Sequence, residues 1–173
     1  FGNQWDNIFL YIRDGTFNIM SLVMVLCISY SYAVEANESS SHKVSPIIVS
    51  SISLCSFIEI SGISKVGFSI ANFGVTSVFI AIIVAVTSSI LFLKLSSIKT
   101  LRINAFTEGA NPVFNYAISS IYPAAITIAG FAIISQVLTA FLGVSDIQSF
   151  VSNSFVNMLL KINSPFWSGI IFI

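Results

Sequence analysis

The sequence predicts an all-α polytopic membrane protein: about four complete transmembrane helices, the start of another, an amphipathic interfacial helix, and a small β-hairpin in a cytoplasmic loop. Two observations carry that class. Of the 173 residues only 8% are charged and 55% are hydrophobic, where a soluble domain carries roughly a quarter charged residues. The apolar residues also gather in runs of roughly twenty, which at about 1.5 Å per residue match the ~30 Å hydrocarbon core of a bilayer.

The same composition excludes several functions. The formal net charge is +0 and the seven basic residues are dispersed rather than striped, so nucleic acid is not an expected partner. Cys27 and Cys55 lie inside apolar runs without C-x-x-C spacing and read as small hydrophobes, not as a disulfide or metal pair. No nucleophile–base pair, carboxylate pair, metal-ligand spacing or phosphate-cradling glycine loop occurs, so no catalytic residue, metal or cofactor is expected. The chain opens on Phe1 and closes on the beginning of an apolar run, which implies continuation at both ends; no signal-peptide pattern is present.

Residues 1–15 mix Trp5, Phe9, Leu10 and Tyr11 with Asp6, Arg13 and Asp14, the composition of a headgroup-level segment leading into a helix. The uncharged run 16–34 is the first span, with Tyr30 and Tyr32 as interfacial anchors. Residues 35–45 hold Glu35, Glu38, a serine triplet, His42 and Lys43 and read as a solvated loop. His42 is the only histidine, and nothing is spaced to make a metal site or a triad with it. Asn37-Glu38-Ser39 matches a glycosylation acceptor in form, a match set aside because the loop is assigned below to the cytoplasm.

Pro46 opens the second span, 46–63, which carries Ser50, Ser51, Ser53 and Ser56. Small hydroxyl residues let helices approach closely in lipid and hydrogen-bond across the contact, so this span is expected inside a bundle. Glu59 is the only acid within an apolar run; a charge at the bilayer centre costs several kcal/mol, so it sits near the interface or faces a polar cavity. A loop with Lys65 follows, and 75–93 is the third span, its aliphatic residues outweighing Thr87, Ser88 and Ser89. Lys94, Lys99 and Arg102 form the densest basic cluster and place the next loop in the cytoplasm. Alternation then puts 1–15 outside, 35–45 inside and 62–74 outside.

Within that inner loop, 100–106 alternates Leu101 and Ile103 against Arg102 and Asn104, and Glu108 to Asn111 is turn chemistry, a hairpin pattern. The fourth span, 121–142, is uncharged, with Pro123 in the first turn, where a missing N–H costs nothing. Gly143 ends it and Ser145-Asp146 starts an amphipathic helix, 145–161. There Ile147, Phe150, Val151, Phe155 and Met158 recur at three- and four-residue spacing opposite Gln148, Ser152 and Asn153. Those five are the candidate interface, against a partner or the membrane surface. Asn163-Ser164-Pro165 breaks the helix, and a further span begins at 165.

The order of these features resembles the membrane component, EIIC, of the bacterial phosphoenolpyruvate-dependent sugar phosphotransferase system, in its lactose/cellobiose/chitobiose branch. The resemblance is carried by Gly15-Thr16 with Ser21-Leu22, by the run from Phe79 to Ala85, and by a basic loop leading to Asn111-Pro112-Val113. It continues through Ser119 to Pro123 and ends at Ser164-Pro165-Phe166-Trp167-Ser168-Gly169. Pro112 and Pro123 match the family in spacing, while Ala117 and Ile118 stand where it commonly has Ser-Phe. The resemblance implies a homodimeric sugar carrier of the bacterial inner membrane, with sugar phosphorylated on the inside by a phosphocysteine of EIIB. It implies that this chain covers much of the dimerising scaffold and that the sugar-site residues lie beyond Ile173; neither His42 nor Glu59 matches them. An ion-coupled secondary transporter using Glu59, and a membrane assembly subunit without transport, are the alternatives.

Overall fold

The computed structural model describes residues 2–40, 43–61, 73–74, 77–98, 101, 117–142, 151 and 154. The regular elements are α1 (Gly2–Thr16), a 3-10 turn (Phe17–Ile19), α2 (Met20–Ser39), α3 (Pro46–Ile60), α4 (Val78–Ser97) and α5 (Ile121–Leu142), with no strand among the described residues. The hairpin expected after residue 100 lies outside them except at Leu101, whose N–H bonds the Ile98 carbonyl at 3.1 Å.

Three helical stretches are long and apolar enough to cross a membrane: Asn7–Ser39, Val78–Ser97 and Ile121–Phe141. Among the described residues the regular structure is therefore all helical, and its long apolar helices are those of a membrane protein. The first stretch runs through α1, the 3-10 turn and α2 over 33 residues. That is about 50 Å, well beyond the ~30 Å hydrocarbon thickness. The 3-10 turn divides it, and just before the turn the Thr16 hydroxyl bonds the Ile12 carbonyl at 2.6 Å. The described side chains of α1 are all exposed.

Helix α2 continues to Ser39, one turn past the point where Glu35 and Glu38 read as loop. Both carboxylates are exposed, so the charges do not oppose the helix. The connection that follows is closed by Asn37: its Oδ1 accepts the Val44 N–H at 2.9 Å and its Nδ2 donates to the Val44 carbonyl at 2.7 Å. One side-chain amide thereby supplies both partners that a strand pairing would give. Pro46 then begins α3, and the Ser45 carbonyl accepts the N–H groups of Ile48 and Val49 at 3.1 and 3.2 Å.

Helix α3 is only 15 residues long, about 22 Å. The last carbonyls of a helix lack intrahelical partners, a serious cost in lipid. Here the Phe57 carbonyl accepts the Ser61 N–H (2.9 Å), Ile58 accepts the Ser61 hydroxyl (2.8 Å), and Glu59 accepts the Ser135 hydroxyl of α5 (3.1 Å). The third of these fastens the end of α3 to α5.

In the bundle α3 and α4 touch each other and both touch α2 and α5, while α2 and α5 share no substantial contact. The central pair is thus flanked by α2 on one side and α5 on the other. Two apolar clusters fill the interior. One gathers Val25, Phe57, Phe73, Ile80, Val84 and Phe131; the other gathers Ala33, Val44, Val49, Ile52 and Phe92, with Ala124 and Ile128 packed on it. Along α2 and α4 the membership order is opposite to that along α3 and α5, so successive helices of the bundle run antiparallel.

Candidate functional site

Between the two clusters every helix of the bundle places a hydroxyl. Ser29 lies between Val25 and Ala33 on α2, Ser53 and Ser56 between Ile52 and Phe57 on α3, Ser88 and Ser89 between Ala85 and Phe92 on α4, and Thr127 between Ala124 and Phe131 on α5. All six are fully buried. Their register along the helices makes them a polar layer across the middle of an apolar core.

Most of these groups are satisfied within their own helix. Ser29 bonds the Val25 carbonyl, Ser56 bonds Ile52 at 2.9 Å, and Thr127 bonds Pro123 at 2.8 Å. Such back-bonding answers the hydroxyl without a partner helix and leaves a small side chain at the contact. Ser53 differs, since among the described residues its hydrogen-bond partners are hydroxyls of α4. Ser89 donates to the Ala85 carbonyl at 2.6 Å, which uses its single hydrogen. Ser53 must then donate to Ser89 across 3.3 Å, and Ser53 accepts from Ser88 at 2.8 Å. The result is a directed chain, Ser88 to Ser53 to Ser89 to the Ala85 carbonyl, joining the central helices.

Helix α5 shows the principle along its whole length. Pro123, Thr127, Phe131, Ser135 and Thr139, at a spacing of four, are its buried stripe. The opposite side exposes Ile126, Ile133, Ile134, Val137 and Phe141, with Ile133 64% and Phe141 91% exposed. Hydroxyls inside and large aliphatic groups outside suit a helix whose solvent is hydrocarbon. Among the described residues the buried polar side chains are all Ser or Thr.

Of the residues singled out from the sequence, Val151 is half-buried and packs against the first apolar cluster. Ile147, Phe150, Phe155 and Met158 lie outside the described residues, as do His42 and Pro112. Glu59 is half-buried in the last turn of α3. Cys27 and Cys55 are free and exposed. No group of His, Cys, Asp or Glu fit to hold a metal ion occurs among the described residues. The serines of α3 announced close packing, but their partners on α4 did not, because Ser88 and Ser89 in a long aliphatic run carry no mark of register.

A groove of about 280 Å³ runs between the first halves of α3 and α5, lined chiefly by Ile47, Ser51, Cys55, Ile121 and Ala124. No family model, curated protein or solved structure matches the chain.

Proposed function

We propose that the chain is the scaffold portion of the membrane component of a phosphotransferase-type sugar carrier. On this reading it is homodimeric, resides in a bacterial inner membrane, and serves a di- or oligosaccharide of the cellobiose, lactose or chitobiose type that an EIIB partner phosphorylates. The reading rests on the ordered motif set from Gly15-Thr16 to Ser168-Gly169, without a family match behind it. The structural observation that supports the scaffold role is the interior: among the described residues it holds apolar groups and hydroxyls bonded within or between helices, and no buried charge. That is the interior of a packing element rather than of a conduit.

The finer architecture belongs to the same proposal. Four spans cross completely, the second continuing from α3 through residue 63, a hairpin lies in the cytoplasmic loop, an amphipathic helix at 145–161 lies along an interface, and a fifth span begins at 165. A mobile transport domain encoded elsewhere in the carrier would shift against this bundle, as one rigid body against another.

Sugar uptake by cells carrying the full-length chain tests the reading. Uptake that requires phosphoenolpyruvate and survives collapse of ion gradients is expected. Uptake lost with the gradient would favour an ion-coupled carrier using Glu59, and absence of any uptake would favour an assembly subunit. In the same protein, Phe150→Asp with Phe155→Asp is expected to abolish the dimer in detergent; unchanged dimer content would count against the interface.

A further inference from the structure

The bundle marks its own boundary in the membrane, and α1 starts there. Helices α2 and α4 are each 20 residues long, and at about 30 Å each matches the thickness of the hydrocarbon core. They run parallel and level: Ser29 and Ser88, at their midpoints, share the hydroxyl layer, Val25 and Ile80 share the first apolar cluster, and Ala33 and Phe92 share the second. One face of the hydrocarbon therefore lies near Met20 and Val78. The 3-10 turn Phe17–Ile19 falls on that face, and the whole of α1 falls past it.

Past that face α1 has no substantial contact with any helix of the bundle. Its Ile8, Phe9, Leu10, Tyr11 and Ile12 are all exposed. A straight continuation of α2 would carry these side chains into water, where each forfeits its transfer free energy. The junction is built to turn. A 3-10 stretch within a helical run often marks a hinge, and here Thr16 (φ -120, ψ -71) and Ile19 (φ -114, ψ 6) bracket it with non-helical backbone. The bond from the Thr16 hydroxyl to the Ile12 carbonyl is of the kind that bends helices. At about 100° per residue, Ile8, Phe9 and Ile12 share one side of α1, Arg13 flanks that side next to Phe9, and Asn7 and Leu10 lie opposite. An apolar side with a basic residue at its margin, held at headgroup level, suits a helix lying in the membrane interface.

We propose that α1 lies flat in the headgroup region, its Ile8, Phe9 and Ile12 side sunk into the acyl boundary, and that Phe17–Ile19 is the hinge by which it leaves the axis of α2. The partner of its apolar side is lipid. The proposal rests on the membrane class alone and is independent of any sugar-carrier role.

Single cysteines in the full chain test this, placed by Asn7→Cys, Ile8→Cys, Phe9→Cys, Leu10→Cys and Ile12→Cys in a Cys27→Ser, Cys55→Ser background. The protein is held in lipid nanodiscs, which leave both membrane faces open to solvent, and treated with a charged methanethiosulfonate reagent. Cysteines at 8, 9 and 12 should react about tenfold more slowly than those at 7 and 10, because an apolar setting lowers the thiolate share. Position 10 is the sharpest of the five, since an apolar residue is expected there to face water. In a second readout, bimane attached at 8, 9 and 12 should be quenched alike by lipids brominated near the top of their acyl chains, and bimane at 7 and 10 only weakly. Fast reaction at all five positions would overturn the proposal by placing α1 in water. Slow reaction at all five would overturn it by extending the span through α1. Slow reaction at 8, 9 and 12 without quenching by brominated lipid would overturn it as well, by assigning that side to a protein partner.

Discussion

The two faces of α5 differ in the sense opposite to a helix on a water-soluble core. Its buried stripe carries Thr127, Ser135 and Thr139, and its exposed side carries isoleucine, valine and phenylalanine. In water the aliphatic side would be driven inward by transfer free energy. In lipid that drive is absent, because hydrocarbon is as apolar as the side chains; what remains is close packing and hydrogen bonding between helices. Size and satisfied polarity, rather than apolarity, decide which face is inside.

The contrast is broken most severely by a charge on the outer face. Ile133→Asp, near the middle of α5, is expected to cost about 3 kcal/mol in membrane insertion, read as the inserted fraction of that segment; in a water-soluble protein the same exposed change would be nearly neutral. Next comes bulk in the inner seam. Ala85 is fully buried beside the hydroxyl chain, and Ala85→Leu should destabilise the bundle by about 2 kcal/mol through overpacking, measured by unfolding in mixed micelles. The smallest effect belongs to the hydroxyl chain itself. Ser53→Ala removes both interhelical bonds, yet Ser88 can turn fully to the Ala85 carbonyl, already 3.3 Å away. A loss of about 0.6 kcal/mol is expected, and a value several times larger would mean that the chain fixes the α3–α4 register beyond its pairwise worth.

The same physics explains how much was legible in the sequence. The run 121–142 could be read as a helix because an uncharged apolar stretch of that length has few other stable forms in a membrane, and α5 occupies it. Ser50, Ser51, Ser53 and Ser56 signalled a packed helix; Ser50, Ser53 and Ser56 are buried, while Ser51 is exposed. What could not be read was pairing. Little in a largely apolar run such as α4 marks the side that turns inward, because aliphatic residues lie on both sides and its small residues fall on both as well, Ala81, Ala85, Ser88 and Ser89 buried but Thr87 and Ser97 exposed. The extra turn of α2 was hidden for another reason: Glu35 and Glu38 suggested solvent, correctly, and solvent suggested loop, which does not follow when the carboxylates project outward from a helix. The Asn37 clamp on Val44, formed across seven residues, has no sequence signature beyond an asparagine at a helix end.

The central claim is that the aliphatic outer face of α5 meets hydrocarbon while its hydroxyl face meets protein. Spin labels placed by Ile133→Cys and, separately, Ser135→Cys, in a Cys27→Ser, Cys55→Ser background reconstituted in bilayers, test it through collision with oxygen and with a water-soluble nickel chelate. The account predicts a label at position 133 that is open to oxygen and shielded from nickel, and a label at position 135 that is shielded from both. A label at 133 that meets the nickel chelate freely would contradict it.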